Sequence, residues 1–416
     1  MKGCGIAYSR FFALGVVLVG WGGGGGLWAR CDAREGREEE FTLRHVVPAK
    51  EALVAHRQQD MLMAAKLFAA PLGLYDRESR KARVKLAVQT REEYMFRMGR
   101  GEPFSAASQF QPYFARLPAL LPRPEDHDTV LGFANMSADS YVARAVDDWR
   151  NATEYGDADS FGWNSTGLRG HVFVNKLHTI VVISFKGTST ILHGGETVAR
   201  DKYMDNVMFS CCCARVDPSW TPVCGCYQGN AAGQSLCDKK CLADVIRSDK
   251  DSYYHEALAV AQLVILKYPK AQLWFTGHSL GGAIAALMAV RIRRTAAITF
   301  ASPGPYYYAR HLGLDTDEPG SQWRYPVWNF GITSDPIFMG TCTGFATSCY
   351  LSGYAMETAC RHGMDCVYQV SSWQPDVSTH RIDWFIDHVI SNKDKYPLPS
   401  CLSNRNCTDC QHWLYV

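Results

Sequence analysis

The chain has 416 residues, of which 47% are hydrophobic and 20% are charged, which is typical of folded proteins and excludes a disordered or fibrous chain. The mean hydropathy of −0.17 excludes a polytopic membrane protein. The formal net charge of +2 gives no reason to expect a nucleic-acid partner, and the length allows two or three domains or one large α/β domain with additions.

The first 40 residues are predicted to form a targeting segment. Lys2 and Arg10 precede an apolar stretch at residues 11–29, and the flank that follows is net acidic. This charge order predicts that the N-terminus stays cytosolic and that the rest of the chain is translocated. The stretch is either a cleaved signal peptide or an uncleaved signal anchor, and five glycines at 22–26 are unusual for a spanning helix.

Residues 41–124 are predicted to be a helical or mixed N-terminal region, which ends in a proline-rich segment. We place the main domain at 125–395 and a cysteine-rich tail at 396–416. Four Asn-x-Ser/Thr triplets fit a translocated chain and are candidate glycosylation sites: Asn135, Asn151, Asn164 and Asn406.

The main domain shows short apolar strands that alternate with helices. The run TIVVISF at 179–185 is almost continuously apolar, which suits a strand that is buried on both faces. Further strands are predicted at 272–276, 296–300 and 328–333, and helices at 252–267, 280–293 and 381–392. This alternation predicts an α/β fold with a mainly parallel sheet.

The sequence Gly277-His278-Ser279-Leu280-Gly281 follows a predicted strand and begins a helix that is rich in small residues. This is the G-x-S-x-G pattern in the context that a nucleophile elbow requires. Glycine is needed on both sides because the turn is tight, and the turn lifts the serine hydroxyl above the sheet edge. We therefore predict that Ser279 is a nucleophile.

A catalytic serine needs a base and an acid that orients it, in the order Ser, Asp, His in α/β-hydrolases. Asp335 directly follows a predicted strand, whereas the alternatives Asp365 and Asp376 do not. His380 lies in the loop before the predicted helix at 381–392. The other three later histidines lie among cysteines or within that helix: His362, His388 and His412. We therefore predict Asp335 and His380 as partners of the serine.

An oxyanion hole would complete such a site. The strand at 180–185 ends in a Lys-Gly-Thr turn, and the backbone N–H of Thr188 is a candidate donor beside that of Leu280. The alternative is an ordinary turn that ends a strand.

Fourteen of the 16 cysteines lie beyond residue 200. In a translocated chain this density favours disulfides, and the even number permits up to seven, with the pairing left open. The alternative is a zinc site, because Cys224 with Cys226 and Cys237 with Cys241 have spacings that are typical of zinc ligands. We favour disulfides and predict no metal site.

These residues resemble the class 3 (fungal-type) lipases, which show F-R-G-[ST], then G-H-S-L-G-G, then Asp and His. The counterparts are residues 185–188, with Lys186 in place of Arg, residues 277–282, Asp335 and His380. The blocks SFGWNSTGLRGHVF, FSCCCARVDPSW and CYLSGYAMETAC are also similar to the autophagy-related lipases of fungal vacuoles. That second resemblance covers about residues 126–392.

The resemblance implies an α/β-hydrolase fold with disulfide-rich insertions. It implies a serine lipase that hydrolyses membrane phospholipid or triacylglycerol without a cofactor, in a type II membrane glycoprotein that reaches the vacuole through the multivesicular body. This favours the signal anchor. Two other functions remain open: a secreted esterase for soluble or cell-wall acyl groups, and a lipid-binding pseudoenzyme, against which the complete Ser, Asp and His set argues.

In class 3 lipases the lid follows the oxyanion strand, so the resemblance implies that residues 191–245, with the cysteine-rich insertion 205–241, include a disulfide-stapled lid or rim. A rigid surface excursion is the alternative. Six apolar side chains would offer contact to lipid: Ile191, Leu192, Met204, Val207, Met208 and Phe209.

Overall fold

The computed structural model describes residues 120–416, apart from short segments at 144–148, 151–154, 190–196, 218, 232, 315–324, 372–375 and 404–406. Before residue 120 it describes two antiparallel strand pairs, β1 (Val17–Gly22) with β2 (Gly26–Cys31) and β3 (Glu92–Met98) with β4 (Tyr113–Ala119). The other residues before position 120, in the predicted targeting segment and in the region 41–124, lie outside the described residues. Among the helices that are described, none combines the length and the apolar character that a bilayer crossing requires.

The later strands are β5 (Tyr155–Phe161), β6 (Gly170–Asn175), β7 (Ile180–Phe185), β8 (Tyr227–Ala231), β9 (Gln234–Cys237), β10 (Gln272–His278), β11 (Ala296–Phe300), β12 (Val327–Ile332), β13 (Met364–Tyr368), β14 (Cys401–Leu402) and β15 (Trp413–Tyr415). Eight of them form one sheet in the order β14-β13-β12-β11-β10-β7-β6-β5. The strands from β7 to β13 in this order pair in parallel, and the pairs at both edges are antiparallel. The predicted α/β fold with a mainly parallel sheet is confirmed.

The helices are α1 (His127–Asp139), α2 (Val198–Met208), α3 (Lys239–Ser248), α4 (Tyr253–Lys267), α5 (Leu280–Arg291), α6 (Tyr306–Leu312), α7 (Ser348–Leu351) and α8 (Ile382–Phe385). A 3₁₀ turn at Val377–His380 precedes α8, and a π-helical turn at Ile386–Ile390 continues it. The predicted helix at 381–392 is therefore present, but only its first turn is α-helical.

Two apolar layers hold the sheet. Val181 and Ile183 of β7 join the cluster that includes α4 and α5, while Val182 joins the cluster that includes Phe133 of α1 and Phe385 of α8. All six residues of β7 are buried, as its apolar run predicts. Each large side chain that is buried this way contributes about 1.5–3 kcal/mol.

The cysteines beyond residue 200, all of which lie within the described part of the chain, form seven disulfides: Cys211–Cys410, Cys212–Cys237, Cys213–Cys224, Cys226–Cys241, Cys342–Cys349, Cys360–Cys407 and Cys366–Cys401. The predicted disulfides are present, and they use each of these 14 cysteines. Three of the bridges tie the tail 396–416 to the α/β domain. In addition, β14 pairs with β13, and β15 pairs with β9.

Four of the six apolar residues that were expected to contact lipid lie in the core. Met204, Val207, Met208 and Phe209 are all buried, and only their neighbours Ile191 and Leu192 lie outside the described residues. The expectation of lipid contact is therefore wrong for the four buried side chains. The physical reason is that α2 turns its apolar side chains into the same core that receives Cys211 and its disulfide.

Candidate active site

Ser279 occupies the turn between β10 and α5. Its φ of 56° and ψ of −126° place a non-glycine residue at positive φ, a strain of about 1–3 kcal/mol that the surrounding structure must support. Part of that support is the Ser279 N–H, which donates to the Phe300 carbonyl at 2.9 Å. The turn therefore has the backbone of a nucleophile elbow.

The glycines on both sides of Ser279 are required for steric reasons. A Cβ at Gly277 would lie 2.4 Å from the backbone of Gly281, and a Cβ at Gly281 would lie 2.1 Å from the Phe185 carbonyl oxygen. No side chain fits at either position without moving β7 or α5. The tight turn that the motif predicts is present.

Ser279, His380 and Asp335 come together at the carboxyl ends of the parallel strands. The Ser279 Oγ lies 2.8 Å from His380 Nε2, and His380 Nδ1 lies 2.7 Å from Asp335 Oδ2. Asp335 is fully buried, and its other oxygen accepts from the Ile337 N–H at 2.9 Å. The arrangement can move a proton from the serine to the histidine while the carboxylate holds the imidazole in place.

The Lys-Gly-Thr turn after β7 lies against the elbow, because a Cβ at Gly187 would approach the His278 carbonyl oxygen to 2.3 Å. The Thr188 hydroxyl donates to the carboxyl group of Asp205 at 2.7 Å. Leu280 is the first residue of α5, so its N–H has no acceptor inside the helix. These positions suit the two amides that were predicted as oxyanion donors.

Lys186, which replaces the arginine of the class 3 pattern, braces this turn. Its ammonium group pairs with Asp201 at 3.0 Å and donates to the Gly187 carbonyl at 2.9 Å. Burial lowers the pKa of Lys186, and burial raises the pKa of Asp205 well above its usual range. Through its ion pair with Asp201 and its hydrogen bond to the Gly187 carbonyl, the lysine fixes the backbone of the turn.

The comparisons with known proteins agree with this geometry. Residues 182–304, which run from β7 through the elbow, match the family model described as Lipase (class 3). These residues lie in a domain that is similar to the class 3 lipases, and we call it the lipase domain.

The relatives of the lipase domain include proteins that carry the name "Putative lipase ATG15". The one from Saccharomyces cerevisiae is 41% identical over 306 residues, which cover 71% of this chain and 57% of that protein. The one from Vanderwaltozyma polyspora is 41% identical over 308 residues, which cover 71% of this chain and 53% of that protein. The resemblance to autophagy-related lipases is confirmed, and the chain spans little more than half the length of these relatives.

A weaker similarity relates the lipase domain to the crystal structure of the Lip2 lipase from Yarrowia lipolytica. The two chains are 13% identical, with a TM-score of 0.32, over 61% of this chain and 82% of that chain. The α/β-hydrolase fold rests on the sheet order and the elbow described above.

The lipase domain places the competing acids and histidines elsewhere. Asp365 lies within β13 and pairs with Arg361 at 3.3 Å, and Asp376 caps the 3₁₀ turn before His380 by accepting from the Ser378 N–H at 2.8 Å. The other histidines meet aromatic or acidic neighbours away from Ser279: His362 beside Tyr306, His388 on Trp384 and His412 near Glu357.

Two further side chains, Tyr141 and His278, support the site. No sequence pattern pointed to Tyr141. Tyr141 follows α1, and its hydroxyl lies 2.7 Å from Nδ1 of His278. Nε2 of His278 lies 2.6 Å from the backbone carbonyl of His380. Since that carbonyl can only accept, Nε2 carries the proton, and the Tyr141 hydroxyl donates to Nδ1.

His278 is therefore a neutral bridge between the elbow and the catalytic histidine loop. Burial lowers the pKa of His278 well below its usual value, which keeps the ring uncharged. Burial also raises the pKa of Tyr141, whose oxygen accepts from the Gly187 N–H. One chain of hydrogen bonds thus links the oxyanion turn to the backbone of His380.

The candidate glycosylation sites differ in their surroundings. Asn164 is exposed in the turn after β5, whereas Asn135 is half-buried on α1 and its partner Ser137 is buried and donates to the Phe133 carbonyl at 2.9 Å. Asn151 and Asn406 lie outside the described residues. Glycosylation of all four stays a prediction.

Proposed function

We propose that this protein is a serine hydrolase that cleaves carboxylic ester bonds of membrane phospholipids, triacylglycerol or both. The observation that carries the proposal is the hydrogen-bonded series Ser279 Oγ, His380 Nε2, His380 Nδ1 and Asp335 Oδ2, with separations of 2.8 and 2.7 Å. The class 3 lipase match and the relatives named as lipases support the choice of lipid esters.

In the first half of the proposed reaction, Ser279 Oγ attacks the acyl carbonyl carbon while His380 Nε2 takes the hydroxyl proton. The carbonyl electron pair moves to oxygen, and the amides of Thr188 and Leu280 stabilise the resulting oxyanion. Donors of this kind contribute about 2.7–4 kcal/mol each to the transition state. Collapse of the intermediate expels the alcohol, which receives its proton from His380.

In the second half, His380 takes a proton from water, and the hydroxide oxygen attacks the acyl-enzyme carbonyl. The fatty acid leaves, and Ser279 regains its proton. Asp335 stabilises the imidazolium in both halves and keeps Nδ1 protonated. Each step uses side chains and backbone amides of this chain, so the proposed mechanism involves no cofactor.

The test uses the full chain, expressed through an oxidising secretory route so that its disulfides form. The wild type and Ser279→Ala are offered phosphatidylcholine vesicles and a triacylglycerol emulsion, and fatty-acid release is measured. We expect release from vesicles that falls at least about a thousandfold in the variant. Release from the emulsion alone would indicate a neutral lipase, and equal release by the variant would contradict the proposal.

The two other functions have distinct outcomes in the same test. A secreted esterase for soluble or cell-wall acyl groups would cleave short soluble esters and neither lipid. A lipid-binding pseudoenzyme would cleave nothing, and a fluorophosphonate probe would leave Ser279 unlabelled. The short distance between Ser279 and His380 favours an activated nucleophile over a pseudoenzyme.

Tyr141→Phe tests the hydrogen-bonded support of His380. The change removes one hydroxyl and leaves the buried Nδ1 of His278 without a donor, a loss of about 1–3 kcal/mol. We expect kcat on a soluble ester to fall about tenfold with little change in KM, because the loop of His380 loses its fixed position. Tyr227→Phe, which removes a hydroxyl that donates to the exposed side chain of Asn230, is the control and should match the wild type. Equal kcat for both variants would exclude the supporting role.

We further propose that the domain acts in the lumen of the secretory pathway and reaches the vacuole or lysosome, where it lyses autophagic or multivesicular-body membranes. The ATG15 relatives support this role, and seven disulfides suit an oxidising compartment. The apolar stretch at 11–29 would then serve as a signal anchor, with secretion as the alternative. An acidic optimum for hydrolysis would follow from a vacuolar destination.

A further inference from the structure

The segment between the catalytic acid and strand β13 carries an exposed apolar surface. Phe345 is 86% exposed and Leu351 is 73% exposed, and Met339 in the same segment is 42% exposed. Large exposed side chains of this kind, when grouped, mark an interaction surface. We call residues 336–356 the interfacial loop.

The interfacial loop contains no charged residue, although 20% of the whole chain is charged. Besides its apolar residues it carries mainly Gly, Ser and Thr. A charged side chain is costly in the boundary region of a bilayer, whereas aliphatic and aromatic groups enter that region favourably. The composition of the loop therefore fits a lipid surface better than a polar protein partner.

The loop is held in one shape. The disulfide Cys342–Cys349 closes its tip, and the ring of Tyr350 lies 5.6 Å from Phe345 and 5.2 Å from Trp220. Tyrosine and tryptophan side chains favour the membrane boundary because one end of each ring is polar. The exposed ring of Phe345 is therefore presented on a braced aromatic support.

The loop is also connected to the active site. It begins at the residue after Asp335, and it docks on α2 through Asn206, whose amide donates to the Gly353 carbonyl at 3.1 Å and accepts from the Ala355 N–H at 2.8 Å. The neighbouring residue on α2, Asp205, holds the Thr188 hydroxyl. At the base of the loop, the Lys202 ammonium group donates to the Ser352 carbonyl and supplies a positive charge near the surface that would meet anionic headgroups.

We propose that the interfacial loop inserts Phe345 and Leu351 into the boundary region of a phospholipid bilayer and holds the active site at the membrane. The role of this insertion rests on the proposed function, because a membrane-lipid hydrolase must reach esters that stay in the bilayer. The insertion itself is independent of hydrolysis and is tested separately.

The first experiment measures insertion. Phe345→Trp and the control Leu177→Trp are made in the full chain with Ser279→Ala, and their emission is compared on vesicles of phosphatidylcholine and phosphatidylserine with and without brominated acyl chains. Leu177 is 79% exposed but lies in the turn at the amino end of β7, whereas the interfacial loop follows the carboxyl end of the parallel strand β12. We expect the brominated chains to quench the emission of the tryptophan introduced at position 345 but not that of the tryptophan introduced at position 177. Equal quenching, or none at 345, would overturn the proposal.

The second experiment measures the consequence for activity. Phe345→Ser with Leu351→Ser should lower the hydrolysis of vesicle lipid about tenfold and leave a soluble ester unaffected, because only membrane contact is lost. Leu177→Ser with Leu266→Ser, which removes two other exposed leucines, should match the wild type. If the wild type cleaves no vesicle lipid, the proposed substrate is wrong while the quenching result still decides insertion. A wild-type dimer that the loop substitutions dissociate would assign the surface to a second copy instead.

Discussion

Asp335→Asn should lower kcat about ten-thousandfold while the protein stays folded. The carboxylate accepts from His380 Nδ1 at 2.7 Å, and its other oxygen accepts from the Ile337 N–H. In the variant, the amide oxygen can keep the Ile337 bond, which turns the NH₂ group towards His380. The imidazole would then carry its proton on Nε2 and could not take one from Ser279. Steady-state kinetics on a soluble ester, with the melting temperature as a measure of folding, provide the test.

Asp376→Asn is the matched control, because Asp376 is the competing acid nearest to His380 in sequence. It is exposed and caps the 3₁₀ turn that carries His380, and asparagine caps as well as aspartate does. We expect activity within about twofold of the wild type. A large loss in Asp376→Asn with a small loss in Asp335→Asn would show that the acid is misassigned.

The stability of the lipase domain should fall as the pH rises from 6.5 to 8.5. Burial raises the pKa of Asp139 to about 8 and the pKa of Glu256 to about 7, from ordinary values of 3.8 and 4.5. In this range the folded state therefore holds protons that the unfolded state has released. Below pH 4, these protons make their full contribution to the free energy of unfolding. That contribution is lost as the pH rises through the two raised pKa values.

Buried histidines act in the opposite direction at lower pH. Burial lowers the pKa of His311 to about 4, so between pH 4 and 6.5 the unfolded state binds more protons at this residue and stability rises with pH. His311 therefore offsets part of the decline between pH 4 and 6.5, and it no longer does so above pH 6.5. We expect a loss of about 2–3 kcal/mol between pH 6.5 and 8.5, at about 1.4 kcal/mol per proton and pH unit.

Asp139→Asn with Glu256→Gln should flatten this decline. Each amide oxygen can still accept from the backbone N–H that the acid binds, that of Arg150 and that of Leu168. Urea unfolding at pH 6.5, 7.5 and 8.5 with the disulfides intact measures the slope, and Asp244→Asn, which changes an exposed acid, is the control. An unchanged slope in the double variant would assign the pH dependence to other groups.

The local features of the site could be predicted because they depend on neighbouring residues. The elbow needs Gly277 and Gly281 within four positions of each other, and β7 is apolar on both faces because both layers cover it. Among the candidate acids, Asp335 was chosen because it follows a predicted strand. Among the candidate histidines, His380 was chosen because it lies in a loop. The structure places both beside Ser279.

The remaining features depend on contacts between distant segments. Tyr141 and His278 are 137 residues apart, and the disulfide partners could not be paired without the fold. The apolar spacing near α2 identified residues such as Met208 but not the direction in which the helix would face. The interfacial loop appeared in the sequence only as a cysteine block, because exposure is a property of the folded chain.

The seven bridges also have a consequence for biosynthesis. Cys211 pairs with Cys410 across 199 residues, and β15 aligns beside β9. In chain order, the nucleophile and its histidine precede residues 401–410, which carry three of the cysteines. Until residues 401–410 have been synthesised, Cys211, Cys360 and Cys366 lack the partners that they have in the fold. These three bridges can therefore close only after the catalytic residues have been synthesised, and a chain that stops before residue 401 would leave Cys211, Cys360 and Cys366 without their partners.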